Sequence, residues 1–270
     1  MRSISQAITG PRPVSLQDIS IPSGLTVLFL GPHPDDFDAV GVTMRRLQAG
    51  GATLHVAVDR SGSGIEEDYC SPPTPEIKAA IREEEQRRSC RFFGLPGDRL
   101  TFLRLDEDDT AQLLDSPRNA DLLRALLASL RPAWIVLPHG HDTNVGHQRM
   151  AAMFRRIAPE AGYPIAAFFN RDPKTISLRT DIYTAFGEED ARWKAQLLRF
   201  HDSQHQRNLN TRGHGFDERI LDTNRQIAQE LRLKEPYAEA FEIDRFPHAG
   251  NSYEKTPASG WNLNLSPILR

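Results

Sequence analysis

The sequence predicts an α/β fold in which a mostly parallel sheet carries helices on both faces. Three observations point there. Short apolar runs alternate with helix-length amphipathic stretches in the rhythm of βαβ units. The runs at 26–30 and 133–137 are apolar throughout, as strands covered on both faces must be. Both runs lead straight into polar, chemistry-bearing residues, and the C-terminal ends of strands are where open α/β sheets place their sites.

In chain order, 26–30 reads as a buried parallel strand, 39–49 as a helix closed by Gly50-Gly51, and 53–58 as the next strand. Residues 61–75 are irregular: their glycines and the Ser-Pro-Pro-Thr-Pro run forbid a helix and suit a pocket rim. A strong helix is expected over 76–93, entered after Pro75 and ended by Gly94, with Ile77, Ala80, Ile81, Cys90 and Phe93 facing inward. A third strand follows at 100–105, a helix at 120–130, and a fourth strand at 133–137 that runs into Pro138-His139-Gly140-His141-Asp142. Beyond residue 165 the pattern loosens to a short strand at 166–169, a hairpin around 174–184, helices near 190–199 and 217–231, a late strand at 237–243 and a turn-rich tail from Pro247. No internal repeat stands out.

The chain has 270 residues, enough for a substantial core, and is expected to form one domain. Apolar residues at 39% and charged residues at 26% are ordinary for a soluble protein, and no stretch is long enough to span a bilayer. The first residues lack the basic and apolar blocks of a signal peptide, so a cytoplasmic protein is expected. With only Cys70 and Cys90, neither a disulfide framework nor a cysteine-rich zinc knuckle can form. Any metal site must therefore use His and carboxylate. The formal net charge of −3, with basic residues scattered among acidic ones, argues against a nucleic-acid partner. A homo-oligomer is left open.

The richest feature is His33-Pro34-Asp35-Asp36, directly after the first strand. It supplies a neutral-nitrogen ligand, an oxygen ligand and a spare carboxylate that can act as a base, the parts of a zinc hydrolase. His-x-x-Asp alone is more often a capping or loop arrangement. Asp142-Thr143-Asn144-Val145-Gly146-His147-Gln148, in the loop after the fourth strand, offers a further ligand that can converge on the first pair.

With these two motifs the chain resembles the PIG-L/LmbE-type de-N-acetylase family. Arg82-Glu83-Glu84-Glu85, with Ser89, Phe93 and Gly94 downstream, is similar to the family's Arg-x-x-Glu helix, and His201-Asp202-Ser203-Gln204 and Tyr237-Ala238-Glu239-Ala240-Phe241 to its C-terminal marks. Together these span roughly 25–245, and the segment from 165 onward is expected to cover the site. The resemblance implies a Rossmann-like fold and zinc, or another divalent metal, on His33, Asp36 and His147. It implies Asp35 as general base, its alternative being a helix cap or a partner of a ligand. Arg82 would contact substrate, or else form a surface pair with Glu85. Asp142 would bind a sugar hydroxyl or orient His147. The implied reaction removes an N-acetyl group from an N-acetylglucosamine-type sugar or glycoconjugate.

Two positions depart from the family pattern. Asn144 stands where the family has a histidine that steadies the intermediate; an amide can donate a hydrogen bond there but cannot carry a proton, which makes His139 and His141 candidates to replace it. Phe37 stands where the family commonly has Glu, followed by Asp38. Two rival readings remain: a zinc amidase or esterase on a non-sugar acylated substrate, and a non-catalytic nucleotide or sugar binder. The Gly-x-Gly-x-x-Gly turn that admits a pyrophosphate is missing after the first strand, which disfavours the second.

Overall fold

A computed structural model describes residues 3–246; the turn-rich tail expected from residue 247 lies outside the described residues. The elements in order are α1 (Ile4–Thr9), β1 (Val14–Ser15), β2 (Thr26–Gly31), α2 (Gly41–Ala49), β3 (Thr53–Asp59), α3 (Pro75–Phe93), β4 (Leu100–Leu103), α4 (Pro117–Leu130), β5 (Trp134–Pro138), α5 (Val145–Ile157), β6 (Ile165–Asn170), β7 (Ile182–Phe186), α6 (Glu188–Leu198), α7 (Asp202–Arg212), α8 (Phe216–Glu230) and β8 (Tyr237–Phe246). The strands form one mixed, mostly parallel sheet in the order β1-β7-β8-β6-β5-β2-β3-β4, in which β8 runs antiparallel to both neighbours.

Alternation along β2 sends Val27 and Phe29 to one face and Leu28 and Leu30 to the other. The first pair packs with Met44 and Leu47 of α2 and Cys90 and Phe93 of α3. The second packs with Leu123 and Leu127 of α4 and Met150 and Phe154 of α5. Both faces of the strand are thereby covered, which explains its unbroken apolar run. From β2 the chain moves outward through β3 and β4, then returns to place β5 and β6 on the other side of β2. The order reverses between β2 and β5, and the loops leaving the two strands part there to open a crevice.

Several expectations change. Residues 145–148, expected in the loop after the fourth strand, open a helix, α5, that runs to Ile157; His147, Gln148 and Arg149 in its first turns hide the apolar face made by Met150, Met153, Phe154 and Ile157. No hairpin forms over 174–184: β7 pairs with β1 and with the distant β8. α7 was invisible to a hydrophobic reading because its buried residues are Ser203, Gln204 and Asn208. The third strand ends at Leu103. In α3, Ala80 is exposed and Ile77 and Ile81 are only half-buried. The buried side instead includes Arg82, Glu83, Glu85, Gln86 and Ser89. That helix lays a polar face against the crevice, so hydrophobic periodicity misplaces it.

The polar cluster around Lys194 is closely matched. Nζ of Lys194 donates to the Ala39 carbonyl at 2.6 Å, Asn224 Oδ1 at 2.7 Å and Glu239 Oε1 at 2.7 Å. Glu239 in turn accepts the backbone N–H groups of Val42 and Thr43 at the start of α2. Burial lowers the Lys194 pKa against the pull of Glu239. Breaking such a pair leaves an uncompensated charge inside the protein. Lys194→Met is expected to lower stability by about 3–5 kcal/mol, and adding Glu239→Gln to recover part of it, as read from urea midpoints.

Candidate metal centre

The last residue of β2 is Gly31 for a steric reason. A Cβ there would lie 2.8 Å from Phe29 Cε1 and 3.3 Å from Asp36 Oδ2. The chain then folds back on itself: Asp36 Oδ2 accepts the His33 backbone N–H at 2.9 Å and lies 3.3 Å from His33 Nδ1. Asp35 takes a φ of 118°, a region that side chains rarely enter. Two residues of α3 hold it there. Gln86 Oε1 accepts its backbone N–H at 3.0 Å, and Arg82 Nη2 donates to its Oδ1 at 2.6 Å.

Arg82 is buried and makes no surface pair with Glu85. Its Nη1 and Nη2 also donate to the carbonyls of Ser63 and Pro34, so it ties the β2 loop to the 61–75 loop. Glu85 instead accepts the backbone N–H and the hydroxyl of Ser203 at 2.7 and 2.8 Å, capping the start of α7. Phe37 is core, edge-on to Phe29 and Phe93. Asp38 is the polar residue of that turn. It is fully buried against His201 Nε2, with Ser89 Oγ and Gln86 Nε2 also donating to it. The Asp38–His201 pair was not anticipated from the sequence, although both residues lie in motifs singled out there.

On the β5 side, Asn144 is the N-cap of α5. Its Oδ1 accepts the Gly146 N–H at 2.9 Å, which leaves the amide Nδ2 free to donate toward the cavity. Asp142 is buried: Oδ1 accepts the Asn144 N–H at 2.6 Å, and Oδ2 lies 3.2 Å from His147 Nδ1. A sugar hydroxyl cannot reach it, so of its two expected roles only the orientation of His147 is open. His147 Nε2 lies 3.2 Å from Asp36 Oδ1. Gly146 permits this approach, since a Cβ there would sit 2.9 Å from His33 Cε1. His139 and His141 do not replace the missing family histidine: His139 is buried against Phe169 and faces Glu242, His141 meets Ser177, and neither lines the cavity.

Two imidazoles thus address the two oxygens of one carboxylate, and the donor atoms of His33, Asp36 and His147 all lie within 4.8 Å of one another. A tautomer that gives Nδ1–H to Asp142 leaves the Nε2 lone pair of His147 for a cation. The donor set suits zinc. Asp142, His147 and Asp172 form a second such group, but it shares His147, whose Nδ1 already faces Asp142. Burial would raise the Asp36 pKa; His147 and His33 outweigh it and hold the carboxyl well below its usual range. Burial would likewise lower His147, but Asp36 and Asp142 prevail and push it up to about 10. These groups, with Asp35, Arg82 and Asn144, line a cavity of about 420 Å³ whose far wall is built by α7 and α8.

A metal-type His/Asp site at the switch point of an α/β sheet is the class this geometry defines. Residues 28–158 match the model of the PIG-L family, described as GlcNAc-PI de-N-acetylase. No curated protein sequence matches the chain. Among solved structures, N,N'-diacetylchitobiose deacetylase from Pyrococcus horikoshii is 17% identical with a TM-score of 0.64, the match covering 81% of this chain and 83% of that one. The zinc-inhibited form of teicoplanin deacetylase Orf2 is 17% identical with a TM-score of 0.59, over 82% and 98%. The 4-carboxy-2-hydroxymuconate hydratase GalB from Pseudomonas putida KT2440 is 15% identical with a TM-score of 0.62, over 85% and 100%. These likenesses establish the shared fold. No helix among the described residues is long and apolar enough to cross a membrane.

Because the His147 pKa is raised in the folded chain, its charged form contributes stability that is full below the unfolded value of about 6.5 and lost as pH rises through about 10. Metal-free protein is therefore expected to lose stability across that window. Asp142→Asn should move the loss to lower pH, as measured by urea midpoints in the presence of chelator.

Proposed function

We propose that the protein is a zinc-dependent hydrolase that removes an N-acetyl group from an N-acetylglucosamine-type sugar or glycoconjugate in the cytoplasm. The observation that carries this reading is the meeting of His33, Asp36 and His147 beside the separately held Asp35 on one cavity. The PIG-L domain points to the same reaction class, and two of the structural neighbours are named as deacetylases.

Zinc bound by His33, Asp36 and His147 would supply Lewis acidity toward the acyl carbonyl and lower the pKa of water from about 15.7 toward about 7. Asp35 is the proton carrier in this scheme. Its Oδ1 is fixed by Arg82, and its Oδ2 has no protein partner among the described residues. That oxygen takes the water's proton and passes it to the departing amine. Asn144 Nδ2 donates to the acyl oxygen as negative charge grows there. Arg82, with its donors engaged around Asp35, serves the substrate by fixing the base. Asp142 holds the tautomer of His147.

Asn144 in place of histidine also favours a second reading, an amidase or esterase on a non-sugar acylated substrate. The hydratase among the neighbours shows that this fold accommodates other chemistry. Acetate release from N-acetylglucosamine derivatives, followed before and after chelation with the metal content measured alongside, tests the proposal. About one zinc per chain with chelator-sensitive release is expected; bound zinc without acetate discards the sugar substrate, and absence of metal discards the mechanism. Asp35→Asn is expected to lower turnover by about 10²–10⁴-fold while the metal content is retained. Loss of metal in that variant would remove Asp35 from the role of base.

A further inference from the structure

The wall of the cavity opposite the His/Asp centre is cationic in a way the deacetylation step does not use. Arg207 and Arg212 from α7 and Arg219 from α8 line it, and Lys174 joins them from the loop after β6, whose backbone pairs with Thr143 beside the His/Asp centre. None has an ion-pair partner among the described residues. Elsewhere the chain pairs its arginines freely: Arg156 with Asp115, Arg171 with Glu230, Arg124 with Glu160 and, beside this wall, Arg199 with Asp217. With 36 acidic and 33 basic residues, carboxylates are not scarce.

The carboxylates that share the cavity are largely engaged. Asp35 belongs to Arg82, and Asp36 faces two histidines. Asp172 and the second oxygen of Asp35 are left to face the cations, and they reach Arg219 across space without a salt bridge. The cations also crowd one another. Burial pushes the Arg219 pKa below its ordinary value; Arg212 and Arg207 push it the same way, against the pull of Asp172 and Asp35. Arg219 further stands in the first turn of α8, the positive end of a helix, where a cation is unfavourable. Arg207 and Arg212 are exposed at the rim of the cavity while Arg219 is half-buried, and Arg207 passes close over Gly64, where a Cβ would lie 2.8 Å from its Nη1. A cleft lined by charges of one sign focuses its field and concentrates ligands of the opposite sign.

We propose that Arg207, Arg212 and Arg219, with Lys174, form an anion subsite, and that the molecule bound in the cavity carries a compact doubly charged oxyanion group. Phosphate monoesters and paired carboxylates share that chemistry, and planar guanidinium forks suit both. The existence of the subsite stands on the cationic wall alone. Its role in choosing substrate rests on the hydrolase reading above.

The test uses purified protein with its metal content unaltered, the Arg212→Gln/Arg219→Gln double variant, and two probes, inorganic phosphate and malonate. Calorimetric titration is expected to show salt-sensitive binding to the parent protein and weakening of about tenfold or more in the variant. Tighter phosphate would assign the monoester source, and tighter malonate the dicarboxylate. The variant, relieved of repulsion, should melt at or above the parent temperature without ligand. Acetate release then compares N-acetylglucosamine 6-phosphate with N-acetylglucosamine. The ratio of their kcat/KM values is expected to be about ten or more in the parent and to fall toward one in the variant. Acetate released from both at equal rates, with probe binding unchanged in the variant, overturns the subsite. No acetate from either, with probe binding lost in the variant, overturns the deacetylase reading and leaves the subsite standing.

Discussion

Everything at the centre of this protein depends on the Asp36 carboxylate lying between two imidazoles that come from different strands. One oxygen faces His33 of its own turn, the other faces His147 from across the switch point. The two histidines reach one carboxylate from different segments of the chain. The sheet supplies the shared frame, since β2 and β5 are adjacent and parallel and their C-terminal ends open to the same side. Two glycines, Gly31 and Gly146, remove the side chains that would otherwise prevent the meeting.

Around this point the polar residues form tiers. Gln86 links two of them, accepting from the Asp35 backbone with one end of its amide and donating to Asp38 with the other. Asp38 holds His201, which sits at the start of α7 and so anchors the helix that walls the cavity. Glu85 caps the same helix from α3. The buried polar residues of α3 and α7 are therefore parts of one network, in which Asp38 Oδ1, Arg82 Nε and His201 Nδ1 are left without a partner.

How much of this was legible in the sequence depended on the kind of signal. β2 and β5 announced themselves because they are buried on both faces, and the motif after β2 stood out because His-Pro-Asp-Asp at a strand end has few structural uses. α5 and α7 were not legible, since their buried faces include His147 in one and Ser203, Gln204 and Asn208 in the other. The inward face of α3 was misplaced for the same reason. Arg82 could be singled out by its motif, but not its partner, because pairing with Asp35 is set by how α3 lies across the β2 turn. The cations of the far wall gave no signal at all: they come from three separate elements and gather only on folding.

Arg82 and Glu85 lie one helical turn apart on α3, the first gripping Asp35 and the second gripping α7. A single rigid rod thus sets both the reach of a carboxylate toward the His/Asp centre and the position of the wall that carries Arg207 and Arg212. Displacing that rod moves the two together. Changes in what the cavity accepts and changes in how fast it reacts are then mechanically linked, and sequence variation along α3 will be felt in both at once, so that substitutions on either side of the cleft are strongly epistatic with those in this helix.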